Sequence, residues 1–490
     1  MIKTNNTKQA FWIALGSLFS FGFGIVSSMI LSRYFPKADY GTFKQVIYVY
    51  STMLTLFTLG LPKAYSYFLP RVDIGQAKSL IRKITNLFFL LGGGFSLFLF
   101  LASDQIALIL RNPDLSFALK LFSPVPLLML PTMGLEGVLA TYRMTKFMAV
   151  YTIITRLIML CCVALPVLIF GGDYIQAIIG FVLASIVAFL LALFFKYYPV
   201  KHEANEKSEI QYNEIFKFSL PLLYASLWGI LISSADQFFI SRYFGREVFA
   251  EFANGSLELP FVGMIVGATA AVLSPIFSRM NHAQLNPAKE IFPIWKNVFE
   301  KSVLLIYPLL LYVWFFADIL MVLLYGEQYA ESAIYFRIKG ITNFFAVIVY
   351  APLLINSGKI KYYANVHAFI AILVIALEYL SVIFINSPYA ISGAALFCQI
   401  IKTFLLLYSA AKIFEVKVFD LFPLKLIGKI FIPSIIILII DYYLFVNLLE
   451  IPYLMIFICS LLFYGVFFLI VSIFLKLNYI SVLRPLLSRL

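Results

Sequence analysis

Apolar runs of membrane-spanning length alternate with short polar segments along almost the whole chain. A helix rises about 1.5 Å per residue and a bilayer core is about 30 Å thick, so a span needs about 20 mainly apolar residues. Such runs lie at 10–32, 45–69, 85–110, 116–141, 147–170, 174–196, 215–240, 255–278, 299–325, 331–356, 363–386, 389–412, 428–448 and 452–475. The pattern predicts an all-α integral membrane protein with about fourteen transmembrane helices. The segment from Ala10 to Ile30 is long enough to span and reads as the first helix, not a cleaved signal.

The polar segments carry the charge, and their distribution predicts the sides. With the N-terminus in the cytoplasm, 25 Lys and Arg fall in cytoplasmic segments, 7 in outer segments and 5 inside spans. The cytoplasmic set runs from Lys3 and Lys8 through Arg71, Lys78, Arg143 and Lys196 to Lys425, Lys429, Lys476, Arg484 and Arg489. The outer set includes Arg33, Lys44, Arg111, Arg242 and Arg246. Excess positive charge marks the cytoplasmic side, so both termini are expected there.

Composition narrows the class further. Hydrophobic residues make up 62% of the 490 residues and charged residues 12%. A soluble domain averages about 45–50% and about 25%, so no sizeable water-facing domain can be built here. The net charge of +13 comes from basic residues scattered singly between apolar runs, which excludes a nucleic-acid surface. Cys161, Cys162, Cys398 and Cys459 lie within apolar runs and read as free buried thiols. His202, His282 and His367 form no metal-ligand pattern, and no phosphate-binding loop of a nucleotide site is present. Gly92-Gly93-Gly94 sits inside the third run and is expected to allow close helix packing. No metal and no cofactor is expected.

The chain also repeats itself. Ser32-Arg33-Tyr34-Phe35 recurs as Ser241-Arg242-Tyr243-Phe244, 209 residues on. Ala102-Ser103-Asp104-Gln105-Ile106 resembles Phe316-Ala317-Asp318-Ile319-Leu320 at 214, and Lys146-Phe147 resembles Lys361-Tyr362 at 215. A near-constant offset implies a six-span repeat followed by two further spans. The expected organisation is a six-helix bundle over 1–200, a polar cytoplasmic linker over 201–214, a second six-helix bundle over 215–414, and two more helices with a tail over 415–490. Six is even, so the bundles share one orientation around a central cavity.

These residues resemble those of a known family. Leu31-Ser32-Arg33-Tyr34-Phe35 with Asp39-Tyr40-Gly41, Asp236-Gln237 with Ser241-Arg242-Tyr243-Phe244, Phe316-Ala317-Asp318 with Leu324-Tyr325-Gly326, and Asn356-Ser357-Gly358-Lys359 carry the resemblance. The chain resembles the polysaccharide flippases, the Wzx-type exporters of O-antigen and capsule units. They share a superfamily with multidrug and toxic-compound extrusion transporters and with lipid II flippases. The resemblance implies a non-enzymatic, multi-pass transporter of the bacterial inner membrane. It implies an undecaprenyl-pyrophosphate-linked oligosaccharide as substrate, H+ or Na+ as coupling ion, and membrane lipid and other polysaccharide assembly proteins as partners. An ion-coupled drug exporter or a lipid II flippase is the alternative within the superfamily. A membrane polymerase would need a large external loop, and none here exceeds about 15 residues.

Charges inside spans are the candidate site residues, because a charge in hydrocarbon needs water, an anion or a partner. Arg156 lies about ten residues into the fifth run, too deep to snorkel readily. It reads as a cavity ligand for the pyrophosphate or as the partner of Glu136. Lys63, Arg337 and Lys339 are further substrate-binding candidates, as are Arg33 and Arg242 at equivalent repeat positions near the outer ends. Asp236, Glu136, Glu258, Glu378 and Lys402 are candidates for ion coupling or charge pairing, with Glu378 and Lys402 as a mutual salt bridge.

Overall fold

The computed structural model describes residues 6–282, 286–449, 451–477 and 479. Lys3, Arg484 and Arg489 lie outside the described residues, as do the side chains of Lys8 and His282. All regular structure among the described residues is helical. Thirteen helical segments there are long and apolar enough to cross a membrane.

The packing divides the chain into two compact units between Ala250 and Glu251. The first unit holds α1 (Asn6–Tyr34), α2 (Lys37–Thr58), α3 (Pro62–Phe68), α4 (Ile74–Ile109), α5 (Asp114–Phe122), α6 (Pro124–Met129), α7 (Leu135–Thr141), α8 (Thr145–Phe170), α9 (Tyr174–Tyr197) and most of α10 (Tyr212–Gly255). The second holds α11 (Pro260–His282), α12 (Phe292–Phe315), α13 (Ala317–Tyr325), α14 (Ser332–Ala346), α15 (Ala351–Asn356), α16 (Ile360–Phe384), α17 (Pro388–Phe414), α18 (Leu424–Tyr442) and α19 (Tyr453–Phe474). The packing boundary lies within α10, past its kink at Gly245, where φ is 84°.

Every predicted apolar run is helical, but the second is interrupted at residues 59–61, the ninth at Phe316, and the tenth is not one helix. It is split into α14 and α15 by the non-helical residues 347–350, and so falls short of a continuous span. The fourth run, 116–141, is likewise broken between α6 and α7, where Gly134 takes a left-handed φ of 75°. Prolines account for the interruptions of the fourth and tenth runs: Pro131 cannot donate to the preceding turn, and Pro352 starts a new helix in the first turn of α15. Met133 and Ile348, in the two breaks, stand 215 residues apart, the spacing of Lys146 and Lys361.

A broken helix leaves carbonyls without partners, and in a membrane each must find a donor. Lys196 supplies it in the first unit. Its Nζ donates to the carbonyls of Pro131 at 2.7 Å and Met133 at 2.8 Å, and to the Tyr65 hydroxyl at 3.2 Å. The Tyr65 hydroxyl is in turn hydrogen-bonded to that of Thr85 at 2.9 Å. Lys196, expected in a cytoplasmic segment, is fully buried at the end of α9. An isolated buried ammonium costs several kcal/mol, and three short charge-assisted bonds offset that cost. In the second unit the Trp295 indole N–H caps the Val349 carbonyl at 2.8 Å.

Glycines set how closely the helices approach. Of Gly92-Gly93-Gly94, only Gly92 is at a close contact, where a methyl group would stand 2.9 Å from the Pro126 carbonyl oxygen. At Gly180 of α9 a methyl group would stand 2.0 Å from the Cys162 carbonyl oxygen of α8. The polar stretch after α9 is also fixed in place: Ser208 N–H donates to Ser79 at 3.2 Å and Glu206 N–H to the Gly75 carbonyl at 3.1 Å.

The second unit is organised around the aromatic face of α12. Trp295, Phe299, Tyr307, Tyr312 and Phe316 form one buried cluster with Tyr464 and Phe468 of α19. Tyrosine hydroxyls fasten α19 to it: Tyr464 donates to the Pro308 carbonyl at 3.1 Å, and Tyr312 to the Phe457 carbonyl at 2.6 Å. Pro308 has no N–H, so the Leu304 carbonyl one turn earlier is freed. The Tyr479 hydroxyl donates to it at 3.1 Å. The outward faces are apolar, as at Phe170, Phe384 and Phe474, which suits contact with lipid tails.

Candidate functional site

The first unit holds an open cavity of about 690 Å3. Its walls come from α1, α2, α7, α8 and α9 and from the break between α6 and α7. Interruption of the helix at residues 130–134 opens this wall and places Glu136 in the first turn of α7. Arg156 comes from the middle of α8, about 16 Å from that helix's start. Tyr50, Tyr151 and Trp12 supply aromatic surface, and Ser17, Ser20, Thr152 and Thr155 line it with hydroxyls.

Arg156 and Glu136 therefore share one cavity, but they are not paired with each other. Ion pairs among the described residues join Lys120 to Asp104, Arg246 to Asp114 and Arg337 to Asp318, and neither Arg156 nor Glu136 belongs to one. Both side chains are exposed to the space they face. A guanidinium in this position has its planar fork available for an anion, and phosphate oxygens match that fork. The hydroxyls and rings beside it suit a sugar, which presents both polar edges and apolar faces.

The other candidates separate into distinct places. Lys63 is exposed on α3 and does not line this cavity. Arg33 ends α1 exposed, and Arg242 donates to the Ile109 carbonyl. Arg242 and Arg111 both lie over the Tyr243 ring, at 5.6 and 5.7 Å from its centre. Asp236 is buried and its Oδ1 accepts the Gln237 N–H at 2.8 Å. In the second unit, Arg337 gives Nη1 to Asp318 at 2.9 Å and also bonds the second carboxylate oxygen. Its Nε donates to the Trp314 carbonyl at 3.3 Å and Nη2 to that of Phe315 at 3.2 Å, so most of its donors are used at the end of α12. The Lys339 ammonium lies 4.3 Å from the Phe252 ring centre. Glu258 is exposed before α11. Glu378 is fully buried on α16 and Lys402 half-buried on the neighbouring α17.

Sequence reasoning missed a polar network in the first unit. Asn112 donates to Thr42 at 3.0 Å and to Gln45 at 2.6 Å, and Gln45 donates to Ser241 at 2.7 Å. Arg246 donates to Thr42 and to the Asn112 side-chain oxygen, each at 3.2 Å, and pairs with Asp114. The local signal was Asn112-Pro113-Asp114 beside the third run, but its partners are up to 134 residues away. Lys44, expected in an outer segment, belongs to α2 and donates to Ser28 of α1 at 3.2 Å. The His367 ring lies tilted against that of Tyr363 within α16, and no group of three or more His, Cys, Asp or Glu able to hold a metal ion occurs among the described residues.

A family model described as "Polysaccharide biosynthesis protein" matches residues 7–281. No curated protein matches the sequence. The lipid II flippase MurJ in an inward closed conformation has a TM-score of 0.71 and 15% identity, covering 94% of this chain and 98% of its own. An inward-facing multidrug resistance MATE family transporter of the MOP superfamily has a TM-score of 0.65 and 12% identity, over 80% of this chain and 94% of its own. The Vibrio cholerae MATE transporter VcmN in the bent form has a TM-score of 0.56 and 17% identity, over 85% of this chain and 98% of its own. At these identities the likeness is one of fold.

Proposed function

Because the chain belongs to the polysaccharide biosynthesis protein family, with the multi-pass fold of MOP-superfamily transporters, we propose that it is a flippase. Its substrate is an undecaprenyl-pyrophosphate-linked oligosaccharide, carried across the bacterial cytoplasmic membrane by alternating access. The observation that carries this reading is Arg156, a mid-helix guanidinium without an ion-pair partner among the described residues, facing a cavity walled by aromatic rings and hydroxyls. The arginine would hold the pyrophosphate, the walls would take the sugar, and the lipid tail would stay in the bilayer. Asp236, Glu136, Glu258 and Glu378 are the candidate carboxylates for a coupling H+ or Na+.

Deletion of the gene tests the substrate. Surface polysaccharide should fall and the oligosaccharide-loaded lipid should accumulate on the cytoplasmic face. Unchanged levels of both would refute the reading. A second reading, lipid II flipping, is favoured by the MurJ match, which extends over 94% of this chain where the MATE matches above reach 80% and 85%. It predicts that lipid II accumulates instead.

Orientation has its own test. A reporter fused after His202 is expected to read as cytoplasmic and one after Gly172 as external, following the 25-to-7 distribution of basic residues. Opposite readings at both sites would reverse the topology.

A further inference from the structure

A second cavity, of about 530 Å3, lies within the second unit where α12 and α18 begin and α19 ends. Lys296, Lys425, Lys429 and Lys476 line it, against two carboxylates, Glu300 and Asp420. Part of this charge is already engaged. Lys296 Nζ donates to the Asp420 carbonyl at 3.1 Å, and Lys429 Nζ to the Leu475 carbonyl at 3.2 Å. The Asp420 carboxylate accepts the Lys417 N–H at 3.3 Å. The ammonium groups of Lys425 and Lys476 make no hydrogen bond or ion pair among the described residues.

The cavity thus holds more cations than anions, with two ammonium groups whose donors are unspent. Its rim is apolar. Phe419 is 72% exposed and Leu424 56% exposed, and both line the cavity. Phe474, two residues before Lys476, is 79% exposed. Exposed charge beside exposed apolar side chains, at the ends of membrane-length helices, matches a molecule with a charged head and apolar tails. A free phosphate ion would use the lysines and have no use for the rim.

We propose that this cavity binds the phosphate headgroup of an anionic phospholipid, with its acyl chains against the apolar flank of α18 and α19. Lys425 and Lys476 take the phosphate oxygens, and Lys296 and Lys429 add positive potential while holding the loop and the end of α19. These lysines are on the cytoplasmic side by the charge distribution, so the lipid is one of the inner leaflet. The site shares no residue with the Arg156 cavity and does not depend on the identity of the transported sugar.

The test uses the purified full chain in detergent and native mass spectrometry. Phosphatidylglycerol, phosphatidylcholine and inorganic phosphate are the probes. Phosphatidylglycerol is expected to bind more tightly than phosphatidylcholine, and inorganic phosphate is expected not to displace it at equal concentration. Lys425→Gln with Lys476→Gln should weaken phosphatidylglycerol binding by about 25-fold, about fivefold for each lysine. Lys425→Arg with Lys476→Arg should retain it. Equal binding of the two lipids by the unaltered protein would overturn the proposal without any variant. So would displacement by inorganic phosphate, which would assign the site to a free ion, or unchanged phosphatidylglycerol binding in the double glutamine variant.

Discussion

Arg156→Ala is expected to lose most export while the protein still inserts and accumulates. The side chain faces the first unit's cavity and belongs to no ion pair among the described residues, so its removal leaves no buried partner charge behind. A lost charge-assisted contact of about 1.5–3 kcal/mol weakens substrate binding by roughly ten- to a hundred-fold. Arg156→Lys should keep part of the activity, because an ammonium still binds phosphate as a point charge. A rival account makes Arg156 the structural partner of Glu136, with which it shares the cavity. That account predicts low abundance for Arg156→Ala and recovery when Glu136→Ala is added. Export and membrane abundance of the two single variants and the double separate the accounts. Normal export by a well-expressed Arg156→Ala would remove the residue from the transport mechanism.

Gly180→Ala is expected to destabilise the first unit, whereas Gly93→Ala should be tolerated. A methyl group at Gly180 would stand 2.0 Å from the Cys162 carbonyl oxygen, a backbone atom that cannot rotate away. Helices α8 and α9, which pack along their length, would have to separate. Overpacking of this kind typically costs about 1–3 kcal/mol, and a backbone clash is at the upper end or beyond. A methyl group at Gly93 meets nothing within 4 Å. There the helix propensity of alanine is about 1 kcal/mol better than that of glycine. Thermal denaturation of the two purified variants in one detergent is the measurement. Equal midpoints would show that α8 and α9 do not pack as closely as described.

The contrast between these glycines marks how far a sequence can be read. Gly92, Gly93 and Gly94 look alike in the chain, yet only the first meets a neighbouring backbone. Which of three adjacent residues faces a partner depends on how the helix is rotated, and an apolar run in a membrane carries little amphipathic signal to fix that rotation. The same limit applied to charges. Arg337 and Arg156 both read as cationic cavity residues. One is used by Asp318 and the end of α12, and the other faces open space.

Sequence alone determined the class and the number of apolar runs. It could do so because bilayer thickness sets a length and hydrocarbon sets a polarity, both local properties of the chain. It also held the period near 215 that the two helix breaks share. Tertiary structure decided the rest. Lys196 looked like an ordinary lysine at the end of an apolar run, but its acceptors lie 63 to 131 residues away, at a break that proline and glycine create. Pairing across such separations depends on helix rotation and contact order in space, which no local pattern encodes. For that reason the cavity that joins Arg156, Glu136 and Tyr50 was legible only once the helices were packed.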